Sequence, residues 1–120
     1  MNVHTHALGN GWTARVGKSD ADNDQLTFKN SFPQDYWLHV KGCPGSHVVL
    51  HHDSAHEAPK EILEAAARLA IQHSKAKNAP KAAVTLARIA DLQKPRRAPA
   101  GQVTVRKSTT LNVRMKKEGE

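Results

Sequence analysis

Asp35-Tyr36-Trp37-Leu38-His39-Val40-Lys41-Gly42-Cys43-Pro44-Gly45-Ser46-His47-Val48-Val49-Leu50 is the stretch whose reading decides the fold. It reads as two short strands joined by a Gly42–Ser46 turn, because β-branched and aromatic residues flank a Pro-Gly pair. Successive strand side chains point to opposite faces, so Tyr36, Leu38 and Val40 share one face and Trp37 and His39 the other. The hairpin also places Asp35, Trp37, His39 and His47 close to one turn. Polar residues packed so densely there demand either a chemical or an architectural explanation.

Working outward, residues 59–77 carry the clearest helical signal. Ile62, Ala66, Leu69, Ala70 and His73 recur at three- and four-residue steps and form an apolar stripe. Pro59 suits a first helical position, and Glu61 and Glu64 lie near the positive end of the dipole. Lys75 and Lys77 lie near its negative end, and Asn78 with Pro80 supplies a stop. Upstream, Thr13–Gly17 reads as a strand, the acidic patch Asp20–Asp24 as a loop and Gln25–Lys29 as a second short strand. Downstream, Ala82–Arg88 reads as a strand. A basic loop follows, and then a closing hairpin of residues 103–106 and 110–114 turning at Lys107-Ser108. These elements predict an α+β fold, a mainly antiparallel sheet with one principal helix packed on one face. Residues 1–11 read as a flexible lead-in, 12–114 as the single domain and 115–120 as a flexible tail.

The 120 residues suit one core and leave no room for two. A single cysteine, Cys43, excludes an internal disulfide and fits a reducing compartment. No run approaches the roughly 18 apolar residues of a spanning helix, and the N-terminus lacks a secretory pattern. A cytoplasmic protein without membrane contact is the expectation. The net charge of +7 is distributed unevenly. Residues 1–74 hold six Lys/Arg against eight Asp/Glu, whereas residues 75–120 hold twelve against three. A basic half of this kind can hold a polyanion, since neutralising phosphates releases condensed counterions.

Chemical readings of the polar residues are weaker. His51, His52 and His56 surround Asp53, but adjacent strand residues face opposite ways, and the chain has no Cys pair and no His-Glu-x-x-His. Ser46 beside His47 lacks the strained G-x-S-x-G elbow of a nucleophile. Phosphate-loop and dinucleotide fingerprints are absent. We therefore expect no catalytic residue, no metal and no cofactor. The expected mechanism is electrostatic capture of nucleic acid by Lys75, Lys77, Lys94, Arg96, Arg97, Arg106 and Lys107. Asp35, Trp37, His39, Pro44, Gly45, Ser46 and His47 form the framework, with Asp35 and Ser46 fixing the turn and the imidazole tautomers. Trp37 and His39 could alternatively offer a face for stacking bases. Two rival readings stand beside capture. One is a protein-interaction module whose basic half meets an acidic surface, and the other a metal-assisted hydrolase.

The motifs together resemble the NFACT-R family. Asp35–Val40 followed by Pro44–Val49 is similar to its hallmark. Val16-Gly17-Lys18, Asn23–Thr27, Glu64-Ala65-Ala66, Ser74–Lys77, Lys94-Pro95 and Ala100–Val103 follow the family pattern in order along most of the chain. The resemblance implies nucleic acid as partner, RNA ahead of DNA with both left open, a link to ribosome-associated quality control, and, for the docking reading, a ribosomal or translation partner. NFACT proteins bind stalled large ribosomal subunits together with tRNA and promote tailing of the nascent chain. The likeness does not extend to the large N-terminal domain, helix-hairpin-helix elements and coiled coil of full-length factors, so tail elongation is not carried over. Lys18 stands where the family often has Arg, which keeps the charge and loses the bidentate fork.

Overall fold

The computed structural model describes residues 1–115. The expected tail from residue 116 onward lies outside the described residues. The 35–50 stretch forms the centre of the sheet as β3 (Tyr36–Val40) and β4 (Val48–His51), antiparallel with Tyr36 opposite Leu50 and Leu38 opposite Val48. Around them lie β1 (Val3–Gly9), β2 (Trp12–Gly17), β5 (Lys81–Arg88) and, closing the chain, β8 (Thr109–Arg114). The six strands run in the order β1-β2-β4-β3-β5-β8, and every neighbouring pair is antiparallel. The segment expected as a loose lead-in is therefore an edge strand. Its Gly9-Asn10-Gly11 turn has φ values of 102°, 54° and 85°. Such left-handed backbone favours Gly and Asn, and it closes the β1–β2 hairpin.

Helix α2 (Lys60–Gln72) covers one face. It buries Ile62, Ala66, Ala67, Ala70 and Ile71 against Ala14, Val16, Leu38, Val40, Val48, Leu50 and Val84. The buried stripe includes Ala67 and Ile71, whereas Leu69 and His73 sit half-buried at its margin. Small alanines let the helix backbone approach the sheet closely, so a helix of modest length closes the main core. The helix stops at Gln72, short of the expected 77. Ser74 through Lys77 continue as turns strapped to the hairpin, with Lys75 N–H donating to Pro44 O at 3.0 Å. Gly45 bridges to Ser74 there, and a Cβ on Gly45 would lie 2.7 Å from the Ser74 Cβ. Only glycine permits that approach.

The opposite face carries an element that the sequence reading misassigned. Asp20–Lys29, expected as a loop and then a strand, is helix α1. Ser19 caps it, its Oγ accepting from Asp22 N–H at 3.1 Å, with acidic residues in the first turn and Lys29 in the last. Hydrophobic periodicity could not reveal this helix because two of its three buried residues, Asn23 and Thr27, are polar. Leu26 is the apolar third, and it joins Trp37, Val49, Ala87 and Leu92 in a second, smaller core. The expected closing hairpin does not form either. Thr104–Val105 (β7) pairs with Leu92–Gln93 (β6) as a separate ribbon, whereas β8 pairs with β5. The Leu92 side chain explains this, since burying it beside Trp37 draws β6 and its partner over the α1 face.

Candidate nucleic-acid interface

Three segments meet at the end of the sheet where β2 stops and β4 begins. They are the Lys18-Ser19 start of α1, the Pro44-Gly45-Ser46 turn, and the His73–Lys77 turns after α2. Together they enclose an open basin of about 490 Å³, into which Lys18, Lys75 and Lys77 project with His73 beside them. Asp20 is the one carboxylate lining it. The turn is built by backbone pairing rather than by side chains: Ser46 N–H donates to His73 O at 3.0 Å. Three ammonium groups at a rigid concave surface suit phosphate oxygens of a polyanion.

His47 fixes the floor behind this basin. The residue is 2% exposed, and its backbone N–H donates to Asn23 Oδ1 at 3.0 Å. Its Nε2 lies 3.0 Å from Gly101 O, which can only accept, so Nε2 carries the proton and Nδ1 accepts from Thr27 Oγ1 at 2.7 Å. Burial, reinforced by neighbouring His39, pushes the imidazole down to about 4, so the ring is neutral at physiological pH. Burial likewise lowers His39. Trp37 completes a triangle of rings with them, parallel to His39 at 5.8 Å between ring centroids and edge-on to His47 at 5.2 Å, with the two imidazoles 5.7 Å apart. With Trp37 only 3% exposed, this face packs against α1 and β6 and is closed to a stacking base. The tautomer of His47 is thus set by Thr27 and Gly101, whereas Asp35 and Ser46 were expected to set it.

Asp35 acts at the far end of the sheet. Its Oδ2 accepts from Phe32 N–H at 2.9 Å, and its Oδ1 lies 2.6 Å from His51 Nδ1. His51 Nε2 meets Asp53 Oδ1 at 3.0 Å. Both ring nitrogens thus face carboxylates, both donate, and the imidazolium is the favoured form. The Asp35 hydrogen bond is the main cause of a pKa raised above the ordinary imidazole value; burial opposes it, and Asp53 adds to it. A raised imidazole pKa stabilises the fold fully below the unfolded value of about 6.5, and that contribution is lost as pH climbs through the folded value. An NMR titration should find the His51 midpoint above 6.5, and Asp35→Asn should lower it. A midpoint at or below 6.5 would contradict the geometry.

The seven cations singled out from sequence do not share one place. Lys75 and Lys77 line the basin, and both are exposed. Arg96 and Arg97 are exposed at the crest of the loop between β6 and β7. Lys94 is a tie within that loop: its Nζ donates to Asp24 Oδ1 at 2.6 Å and also to Pro99 O. Burial alone would raise the Asp24 carboxyl, but Lys94 and the Gly101 N–H together hold it below the usual carboxylate range. Gly101 N–H donates to Asp24 and Gly101 O accepts from His47, so this basic loop is anchored directly to α1 and to the hairpin. Arg106 is paired with Asp91 at 2.5 Å. Lys107 lies beside Tyr36 and Arg88, at the other end of β3 and β5. Lys18 was absent from the predicted cations, although Val16-Gly17-Lys18 had already been matched to a family motif.

Residues 4–107 match the family model described as NFACT protein RNA binding domain. The chain belongs to this family. The match takes in all of β1 but Val3 and ends before β8. Among curated relatives, the chain is similar to the Rqc2 homolog RqcH of Bacillus subtilis, with 34% identity over 92% of this chain and 19% of that protein. It is similar also to the Rqc2 homolog RqcH of Streptococcus suis, with 38% identity over 82% of this chain and 17% of that protein. The chain therefore spans less than a fifth of the length of these relatives. Among solved structures, the C-terminal part of the fibronectin/fibrinogen-binding protein from Streptococcus suis superposes with a TM-score of 0.85. That structure is 33% identical, over 95% of this chain and 45% of the other. Among the described residues, no helix of this NFACT-family domain is long and apolar enough to cross a membrane.

Proposed function

We propose that this domain binds structured RNA, ribosomal RNA or tRNA, as a cytoplasmic module of ribosome-associated quality control working at the large subunit. The observation that carries this reading is the convergence of Lys18, Lys75 and Lys77 on one basin, framed by the Pro44-Gly45-Ser46 turn. Family membership supports RNA as the polyanion, and the RqcH relatives support the ribosomal setting. Arg96 and Arg97 add exposed positive charge on the anchored loop. Binding proceeds without a chemical step or cofactor: His47 and His39, in the framework behind the basin, are occupied as packing and hydrogen-bonding groups.

Phosphate contacts position a ligand and carry no base information, so recognition here rests on backbone and shape. Titrating the protein with a structured RNA at rising salt tests the reading. The slope of log affinity against log salt should be about −0.7 to −0.9 for each phosphate engaged. Three to five contacts would therefore give a steep line. A flat line, or no binding at low salt, would remove capture by this surface.

A further inference from the structure

The end of the sheet opposite the basin holds a second concave site with different chemistry. It is a cavity of about 380 Å³ lined by Trp12, Phe32, Leu50, His51, His52 and Asp53, among others, with no Lys or Arg in its lining. Phe32 is 63% exposed, and apart from Met1 it is the one large hydrophobic so exposed among the described residues. It is held nonetheless, stacked on the His51 ring at 5.2 Å between centroids. His51 in turn is clamped by Asp35 and Asp53. The second aromatic pair is Trp12 and His52, 4.9 Å apart. His52 accepts from Ser54 and Ala55 N–H at Nδ1 and donates from Nε2 to Asn10 O, which fixes the loop carrying Asp53. Asp53 is fully exposed at the cavity. Asp35 and Asp53 bring two carboxylates to a lining without Lys or Arg, at the end of a domain whose net charge is +7.

We propose that this cavity is a docking site for an arginine side chain on a basic segment of a partner protein. Flat, exposed aromatic surface beside a carboxylate suits a planar guanidinium, which stacks on a ring face while donating to an acid. Lysine fits less well, since its compact ammonium cannot stack. The same carboxylates disfavour a nucleotide, whose phosphates they repel. The rings and the loop are already held by the contacts above, so little ordering is required on binding. The site is spatially separate from the lysine basin, and RNA binding and peptide docking can fail independently.

The test uses the isotope-labelled full chain and short blocked peptides, Gly-Arg-Gly and its Lys and Tyr counterparts. NMR should show saturable shifts confined to Trp12, Phe32, His51 and Asp53 with the Arg peptide, and weaker binding with Lys. Phe32→Ala and Asp53→Asn should each weaken the Arg peptide by about tenfold. Both residues are exposed, so each variant is expected to retain the wild-type spectrum elsewhere and its affinity for RNA. Absence of saturable shifts would overturn the proposal. So would a Tyr peptide that binds as well as the Arg peptide, or a dinucleotide that moves the same resonances more strongly.

Discussion

Exchanging Lys75 and Lys77 together for glutamate is expected to weaken RNA binding by about fiftyfold at roughly 0.1 M salt, with the log–log salt slope reduced by about two. Each phosphate contact contributes close to one decade at that ionic strength, and the loss should be the same for every RNA sequence tried. Both residues are exposed and lie beyond the end of α2, so the core does not depend on their side chains. Arg106→Glu provides the contrast. Its guanidinium already meets Asp91, so its reversal should cost RNA affinity far less than reversal at the basin. Arg96→Glu with Arg97→Glu should fall between the two, as these cations are exposed but do not line the basin. Filter-binding or fluorescence titration across salt concentrations measures all three. Equal losses at Arg106 and at the lysine pair would mean that diffuse charge, and no built site, governs binding.

Acid should destabilise the domain well before its carboxylates titrate. His47 has an imidazole pKa near 4 in the fold, against about 6.5 in an unfolded chain. Between those values the unfolded state binds the proton and the folded state does not, so stability rises with pH across this window. Taking pH from 7 to about 4 should remove on the order of 3 kcal/mol through this residue alone. His39 and His73 act in the same direction, His73 because burial and the neighbouring His4 and His6 lower it. His51 does not contribute to the acid loss, since its raised pKa acts on the alkaline side. The lowered carboxyls Asp22 and Asp24 matter only below their unfolded value near 3.8. Urea unfolding at stepped pH values reads the effect directly. His47→Asn should reduce stability at pH 7, because Thr27 and Gly101 lose a buried partner. It should also flatten the dependence between pH 6.5 and 4. An unchanged slope in that variant would assign the acid sensitivity elsewhere.

Two kinds of information separate cleanly in this molecule. The alternation in Tyr36–Val40, the Pro-Gly turn and the apolar stripe of residues 62–70 are local patterns, and they were enough to place β3, β4 and α2. The order of short motifs was enough to place the chain in its family. Helix α1 escaped because its buried face is mostly polar, Asn23 and Thr27 beside a single Leu26, and the partner of the polar pair, His47, lies 20 or more residues away. Burial of polar groups through hydrogen bonds leaves no hydrophobic period to detect. The same limit applies to the cations. Sequence alone established that positive charge gathers after residue 74. Only the tertiary structure decided that Lys94 and Arg106 are held by Asp24 and Asp91, and that Lys18 joins Lys75 and Lys77 across more than 50 residues of chain. Charge is a property of each residue, whereas its availability to a ligand depends on which opposite charge the fold brings within reach.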